Sequence, residues 1–129
     1  MPLKISVDEK MPGVFRVQLS GILDTGTYKE LDAKISELVL KKPDSIVFDM
    51  ASLEFISSMG VRSVQKTGKM LRDFDGKMLM VNVPPHIKEV FHIIKAMPAE
   101  DIFENVEEMD SYLIRRQKKI KAKESGFED

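Results

Sequence analysis

The first two predicted strands follow each other with no room for a helix between them. Residues 3–7 alternate apolar and polar side chains, the period of a half-buried strand, and residues 14–19 form a second β-favouring run. Only residues 8–13 separate them, and these end in the turn signal Met11-Pro12-Gly13, so we predict an antiparallel hairpin. A sheet that begins this way cannot be wholly parallel.

Beyond the hairpin, helical and strand patterns alternate. An apolar stripe from Tyr28 predicts a first helix. A second helix is predicted after residue 58, a third after the pair Pro84-Pro85 and a fourth after residue 106. Strands are predicted at residues 45–48, 77–83 and 102–103. We therefore predict an α/β fold, a mixed sheet with a hairpin edge covered by about four helices. The domain is expected to span residues 1–115, with a charged, frayed extension at residues 116–129.

The charge balance and composition exclude several classes of function. The 129 residues include 20 Lys+Arg and 21 Asp+Glu, a net charge of -1, which gives no general attraction to nucleic acid or to an anionic membrane. Cysteine is absent, so disulfides and thiolate sites are excluded. No apolar run reaches the ~20 residues of a membrane span. Because the N-terminus also lacks a secretory pattern, we expect a cytoplasmic protein.

Two adjacent hydroxyls follow the predicted third strand. That strand ends at Asp49, and a short segment leads to Ser57, Ser58, Gly60 and an amphipathic helix. Unpaired N–H groups and the helix dipole favour negative charge at a helix start. A serine in this position is either an ordinary helix cap or a site of phosphorylation.

Three segments of the chain together resemble a STAS domain, the fold of bacterial anti-sigma factor antagonists. They are residues 20–24, residues 46–50 and, most specifically, residues 55–62, which read Phe-Ile-Ser-Ser-Met-Gly-Val-Arg. The likeness runs over residues 3–113.

The resemblance implies partner switching. In this family an unmodified antagonist binds an anti-sigma factor that is also a serine kinase, and the sigma factor is released. The kinase then inactivates the antagonist by phosphorylating a serine at the start of this helix, and a PP2C-type phosphatase restores it. The resemblance requires no catalytic machinery of this chain, so we expect a protein that is not an enzyme, as a monomer or weak homodimer. Since no nucleotide-binding motif and no metal-ligand spacing occurs, we expect no cofactor and no metal.

The family loop commonly reads Asp-Ser-Ser/Thr-Gly, and this chain departs from it. Aligned on Gly60, Ser57 replaces the aspartate, Ser58 is the first hydroxyl and Met59 replaces the second. Since methionine cannot accept phosphate, we predict modification of Ser58, with Ser57 as the backup. The predicted partner-binding surface comprises Asp24, Thr25, Ser57, Ser58, Met59 and Gly60.

Other candidate residues lead to weaker hypotheses. Asp24 is either a helix cap or a partner contact. Asp49 invites comparison with receiver domains, but the hairpin excludes that fold, and we expect Asp49 at a strand end, hydrogen-bonding the serine segment. His86 and His92 are six apart on one helix, so a shared metal is not expected. A non-switching scaffold and a small-ligand sensor remain as alternative functions.

Overall fold

The computed structural model describes residues 2–94 and 102–124, and it confirms the predicted order of elements. Its helices and strands are, in chain order, β1 (Leu3–Met11), β2 (Val14–Leu23), α1 (Tyr28–Val39), β3 (Ser45–Ile56), α2 (Ser58–Arg72), β4 (Lys77–Val81), α3 (Pro85–Ile94), β5 (Ile102–Phe103) and α4 (Val106–Glu124).

The five strands lie side by side in chain order. The hairpin strand β1 is antiparallel to β2, and every later neighbouring pair is parallel. Helices α1, α2 and α3 bury their apolar residues on one face of the sheet, around Phe48. Helix α4 packs on the other face, where Met109 and Leu113 meet Val47 and Leu79. A sheet covered on both faces explains why β3 and β4 read as nearly continuous apolar runs.

Strand β3 is much longer than the predicted residues 45–48, because it continues through two bulges after its fully buried run has ended. Each adds one residue to β3 relative to β2, the first between Asp49 and Ser52 and the second between Leu53 and Phe55. Its core-facing residues are therefore three apart after Met50, at Leu53 and Ile56. Beyond the first bulge, the strand therefore shows neither a continuous apolar run nor a period of two.

In each helix, apolar residues three and four apart predict the face that turns inward, and these predictions are mostly confirmed. Leu31, Ile35 and Leu38 of α1 are buried, as are Val61, Val64, Gly68 and Leu71 of α2. In α3, Ile87 and Phe91 are buried, but the prediction for Ile94 is wrong: the last three residues of this helix are all exposed. The predicted stop at Met97-Pro98 lies outside the described residues.

The pair Asp75-Gly76 predicts the end of α2, and the helix does end just before it, at Arg72. The turn closes through Gly76 N–H, which donates to Leu71 O at 2.8 Å. The left-handed backbone belongs to Asp75, at φ 63°. An aspartate tolerates this conformation better than most side chains.

Helix α4 is joined to the opposite end of the domain from the serines by polar side chains. Arg116 donates to Asp44 Oδ2 at 3.1 Å and to Asp75 O at 2.8 Å, and Gln117 donates to Pro12 O at 2.9 Å. The boundary predicted after residue 115 therefore falls inside a packed helix. None of the helices in the described ranges has the length and apolar character to cross a membrane.

Candidate functional site

The serine loop, our name for residues 57–60, comprises the N-cap and the first residues of α2. It follows directly on the end of β3. Leu23 and Ile56 are paired in the adjacent parallel strands β2 and β3, and Ser57 N–H continues the pairing by donating to Leu23 O at 3.0 Å. The segments after the two strands therefore emerge side by side, as expected at the carboxyl edge of a parallel sheet.

Ser57 is the N-cap of α2. Its backbone is extended (φ -96°, ψ 173°), and its Oγ accepts from Gly60 N–H at 3.3 Å. Its carbonyl accepts the first helical bond, from Val61 N–H at 3.0 Å. The side chain is half-buried. Its hydroxyl therefore satisfies one of the unpaired donors of the helix start.

Ser58 is the first residue of α2 and is exposed. Its hydroxyl makes no hydrogen bond within the described parts of the chain. The first turn of α2 contains no acidic residue, so the positive end of the helix dipole is not offset there by a carboxylate. The two adjacent serines thus differ: one hydroxyl is used by the fold, and the other faces solvent.

We expect this difference to appear in stability. Ser57→Ala removes the cap and should lower the free energy of unfolding by about 1 kcal/mol. Ser58→Ala removes an exposed hydroxyl and should stay within about 0.5 kcal/mol of the native protein. Urea denaturation of the two variants measures the difference, and equal stabilities would contradict the assignment of the cap.

Gly60 allows α2 to begin against the end of β2. A Cβ built at this position would lie 2.7 Å from Leu23 O, 2.8 Å from Leu23 Cγ and 2.9 Å from Ile56 Cγ1. Gly68, on the inner face of α2, would likewise be expected to permit close approach to the sheet, but the structure does not require glycine there. A Cβ there would meet Met78 at an ordinary 3.7 Å.

The segment after β2 forms a compact turn beside the serine loop. Asp24 Oδ1 accepts from Gly26 N–H at 2.9 Å, and Thr27 Oγ1 donates to Ile22 O at 2.8 Å. The N-cap of α1 is Thr27, without a side-chain cap bond, so Asp24 holds the turn rather than capping the helix through its side chain. Thr25 at the tip is exposed.

Asp49 does not lie where the sequence predicted. It sits within β3, paired with Gln18 and Val81, and is only 8% exposed. Its Oδ1 accepts from Ala51 N–H at 3.1 Å and from Asn82 Nδ2 at 3.3 Å, and it makes no hydrogen bond to the serine loop. The prediction failed because β3 continues for two bulges beyond this residue.

The two histidines are both exposed, and His86 has a structural contact. Its Nε2 lies 2.8 Å from Glu54 O, in the part of β3 that extends beyond the end of β4. The imidazole N–H therefore donates to a backbone carbonyl that has no neighbouring strand on that side. Within the described ranges no group of His, Cys, Asp and Glu is arranged to hold a metal ion.

A polar groove of about 220 Å³ lies on the sheet surface away from the serine loop. It is open to solvent and is lined by Lys4, Ser6, Gln18, Leu19, Ser20, Asp49, Ala51 and Ser52. Nearby, Arg16 donates two hydrogen bonds to the carboxylate of Asp8, and these bonds raise the pKa of Arg16 above its ordinary value. No residue of the serine loop lines this groove.

Two exposed residues beside the serine loop were not singled out by the sequence. Phe55, next to the second bulge of β3, is 50% exposed and pairs with Ile22 of β2. Arg62 lies one helical turn after Ser58 and is exposed. A bulge can turn an apolar side chain outward, and only the coordinates reveal one here.

Comparison with known proteins identifies the family. Residues 7–109 match the STAS domain family. A protein of Bordetella bronchiseptica, BtrV, provisionally assigned as an anti-sigma factor antagonist, is 32% identical over 91 residues, which cover 70% of this chain and 78% of the relative.

Solved structures show the same fold. The anti-sigma factor antagonist SpoIIAA in its unphosphorylated form superposes with a TM-score of 0.75 at 21% identity, covering 87% of this chain and 96% of that one. The phosphorylated form of SpoIIAA from Bacillus gives 0.70 at 20% identity, covering 85% and 99%. The extent of the family match and the identity to BtrV together establish that this chain is a member of the STAS domain family.

Proposed function

We propose that this chain is an anti-sigma factor antagonist that binds an anti-sigma factor with serine kinase activity, and that phosphorylation of Ser58 ends the binding. The observation that carries the proposal is the exposed, unbonded hydroxyl of Ser58 at the first residue of α2. The name of its relative BtrV and the existence of a phosphorylated form of SpoIIAA support it.

Ser58 is a better phosphate acceptor than Ser57 for a geometric reason. Modification of Ser57 would require its half-buried oxygen to leave Gly60 N–H, which uncaps the helix. The Ser58 oxygen can enter a kinase active site without any such change. Ser57 therefore serves to fix the loop, and Ser58 serves as the acceptor.

The chain needs to supply only a hydroxyl to the reaction. In the proposed step, Ser58 Oγ attacks the γ-phosphorus of ATP bound to the kinase and forms a new O–P bond. The bond to the bridging oxygen of the β-phosphate breaks, ADP leaves, and the hydroxyl proton passes to a base of the kinase. Hydrolysis by a phosphatase would return the free serine, and the antagonist itself need not be an enzyme.

The docking surface comprises Asp24, Thr25, Ser57, Ser58, Met59 and Gly60, and its location explains how a single phosphate can control binding. The turn after β2 and the serine loop emerge side by side, with Thr25 and Ser58 exposed. A phosphate adds a charge of about -1.5 to -2 at neutral pH. A partner that covers this surface would have to remove water from that charge, which costs free energy unless the partner supplies a cation.

Phe55 extends the docking surface with an apolar anchor. Aromatic side chains carry much of the binding energy in protein interfaces, and half of this ring is exposed beside the serine loop. Phe55→Ala should therefore weaken binding of the kinase by about tenfold, measured by calorimetry. Ile114→Ala is the matched control, because Ile114 is also 50% exposed but lies on α4. If both variants lost affinity equally, or if neither lost affinity, Phe55 would not belong to the docking surface.

The polar groove favours one alternative, a small-ligand sensor. A ligand that bound there would raise the melting temperature of the chain, by an amount that grows with the logarithm of the ligand concentration once this exceeds the Kd. The experiment that tests the main proposal is binding of Ser58 variants to the kinase, with release of the sigma factor as the readout.

A further inference from the structure

Ser58 has a basic residue one turn along its own helix. Arg62 is four residues further on in α2, and both side chains are exposed. Residues four apart are neighbours on one helical face. Throughout the described ranges, Arg62 makes no ion pair and no side-chain hydrogen bond.

The other charged groups near the start of α2 are already engaged or have the wrong sign. Asp24 holds its turn through Gly26 N–H, and Glu54 is an exposed carboxylate. His86 Nε2 is directed at Glu54 O. The next basic residue of α2, Lys66, faces Asp32 of α1 at 3.8 Å. Arg62 is thus the unpaired cation of α2 that lies nearest to Ser58, one turn away.

We propose that Arg62 is the intramolecular partner of a phosphate on Ser58. The inference rests on the proposed function, since it concerns the same phosphorylated residue. An acidic group placed N-terminal to a basic group at i, i+4 is the more favourable order on a helix. Arginine also binds phosphate through two parallel hydrogen bonds, which fixes the orientation of the group.

Pairing would have two consequences for the switch. The phosphate would be held against α2 at a fixed place on the docking surface, instead of moving freely with the serine side chain. The charge of Arg62, available to an acidic group of the partner in the unmodified protein, would be neutralised at the same time. Modification would then add a negative group and withdraw a positive one.

The test uses the full chain with phosphoserine incorporated at position 58 during translation, so that no kinase is required. The second pKa of the phosphate is measured by phosphorus NMR titration in the native sequence, in Arg62→Gln and in Arg72→Gln. Arg72 is the matched control, because it is an exposed arginine in the last turn of the same helix. A guanidinium next to the phosphate favours the dianion, so the pKa should rise in Arg62→Gln and remain unchanged in Arg72→Gln.

Thermal unfolding gives a second readout. The melting-temperature change produced by phosphorylation should become less favourable by about 2 °C in Arg62→Gln than in Arg72→Gln. Equal phosphate pKa values in the native and Arg62→Gln proteins would overturn the pairing. The proposed function fails by a separate result, namely kinase binding that is the same for the phosphoserine-58 chain as for the unmodified chain.

Discussion

Ser58→Asp is expected to lose binding to the partner kinase by roughly 100-fold, or about 3 kcal/mol, whereas Ser58→Ala should bind as tightly as the native chain. The aspartate places a charge on an exposed position of the docking surface, where covering it removes its water. The alanine removes only a hydroxyl that makes no hydrogen bond in the free protein. Ser58→Ala should also release sigma factor persistently in the presence of ATP.

The control for the position of the charge is Lys66→Asp, which makes an even larger negative change at an exposed position two turns further along α2. The affinity of this variant for the kinase should remain near the native value. The ion pair that it loses, with Asp32 of α1, is a weak surface contact within the chain. Binding would be measured by calorimetry, and sigma release by size-exclusion chromatography. Equal affinities of Ser58→Asp and Ser58→Ala would exclude Ser58 as the control point.

Gly60→Ala should be the most destabilising substitution in the serine loop. Its new methyl group would lie 2.7 Å from the backbone oxygen of Leu23, which cannot rotate away as a flexible side chain can. Overpacking of this kind costs about 3 kcal/mol and should lower the melting temperature by roughly 10 °C. The start of α2 would have to shift away from β2, which also displaces Ser57 and Ser58.

Gly68→Ala provides the control within the same helix. A methyl group there has ordinary contact distances to Met78, and alanine is favoured over glycine in helix interiors. We expect this variant to gain roughly 0.5 to 1 kcal/mol, measured by urea denaturation. A loss in Gly68→Ala as large as that in Gly60→Ala would contradict the packing described at both positions.

The fold was largely predictable from periodicity, and the failures coincide with breaks in it. The stripe of α1 and the hairpin turn at Pro12-Gly13 follow from local patterns and match the structure. The length of β3 does not, because its two bulges place Leu53 and Ile56 three residues apart on the core face. Bulges depend on pairing with β2, which a local pattern does not contain.

The same limit applies to the candidate site. The sequence located both serines at a helix start, but the difference between Ser57 and Ser58 depends on which hydroxyl reaches Gly60 N–H. Likewise, Gly60 and Gly68 are both glycines on the inner side of α2, and the sequence does not tell their roles apart. The short distance from Gly60 to Leu23 O in the structure distinguishes them. Asp49 was misplaced because the end of the apolar run was mistaken for the end of the strand.

The most direct test of the proposed switch is to locate the phosphate. The unmodified chain would be incubated with the anti-sigma kinase of its own cell and ATP, then digested with trypsin and sequenced by mass spectrometry. Because no lysine or arginine separates Ser57 from Ser58, both lie in one peptide that ends at Arg62, and fragment ions between them assign the site. The account predicts a single phosphate on Ser58. A phosphate on Ser57, or a chain that remains unmodified while bound to an active kinase, would contradict it.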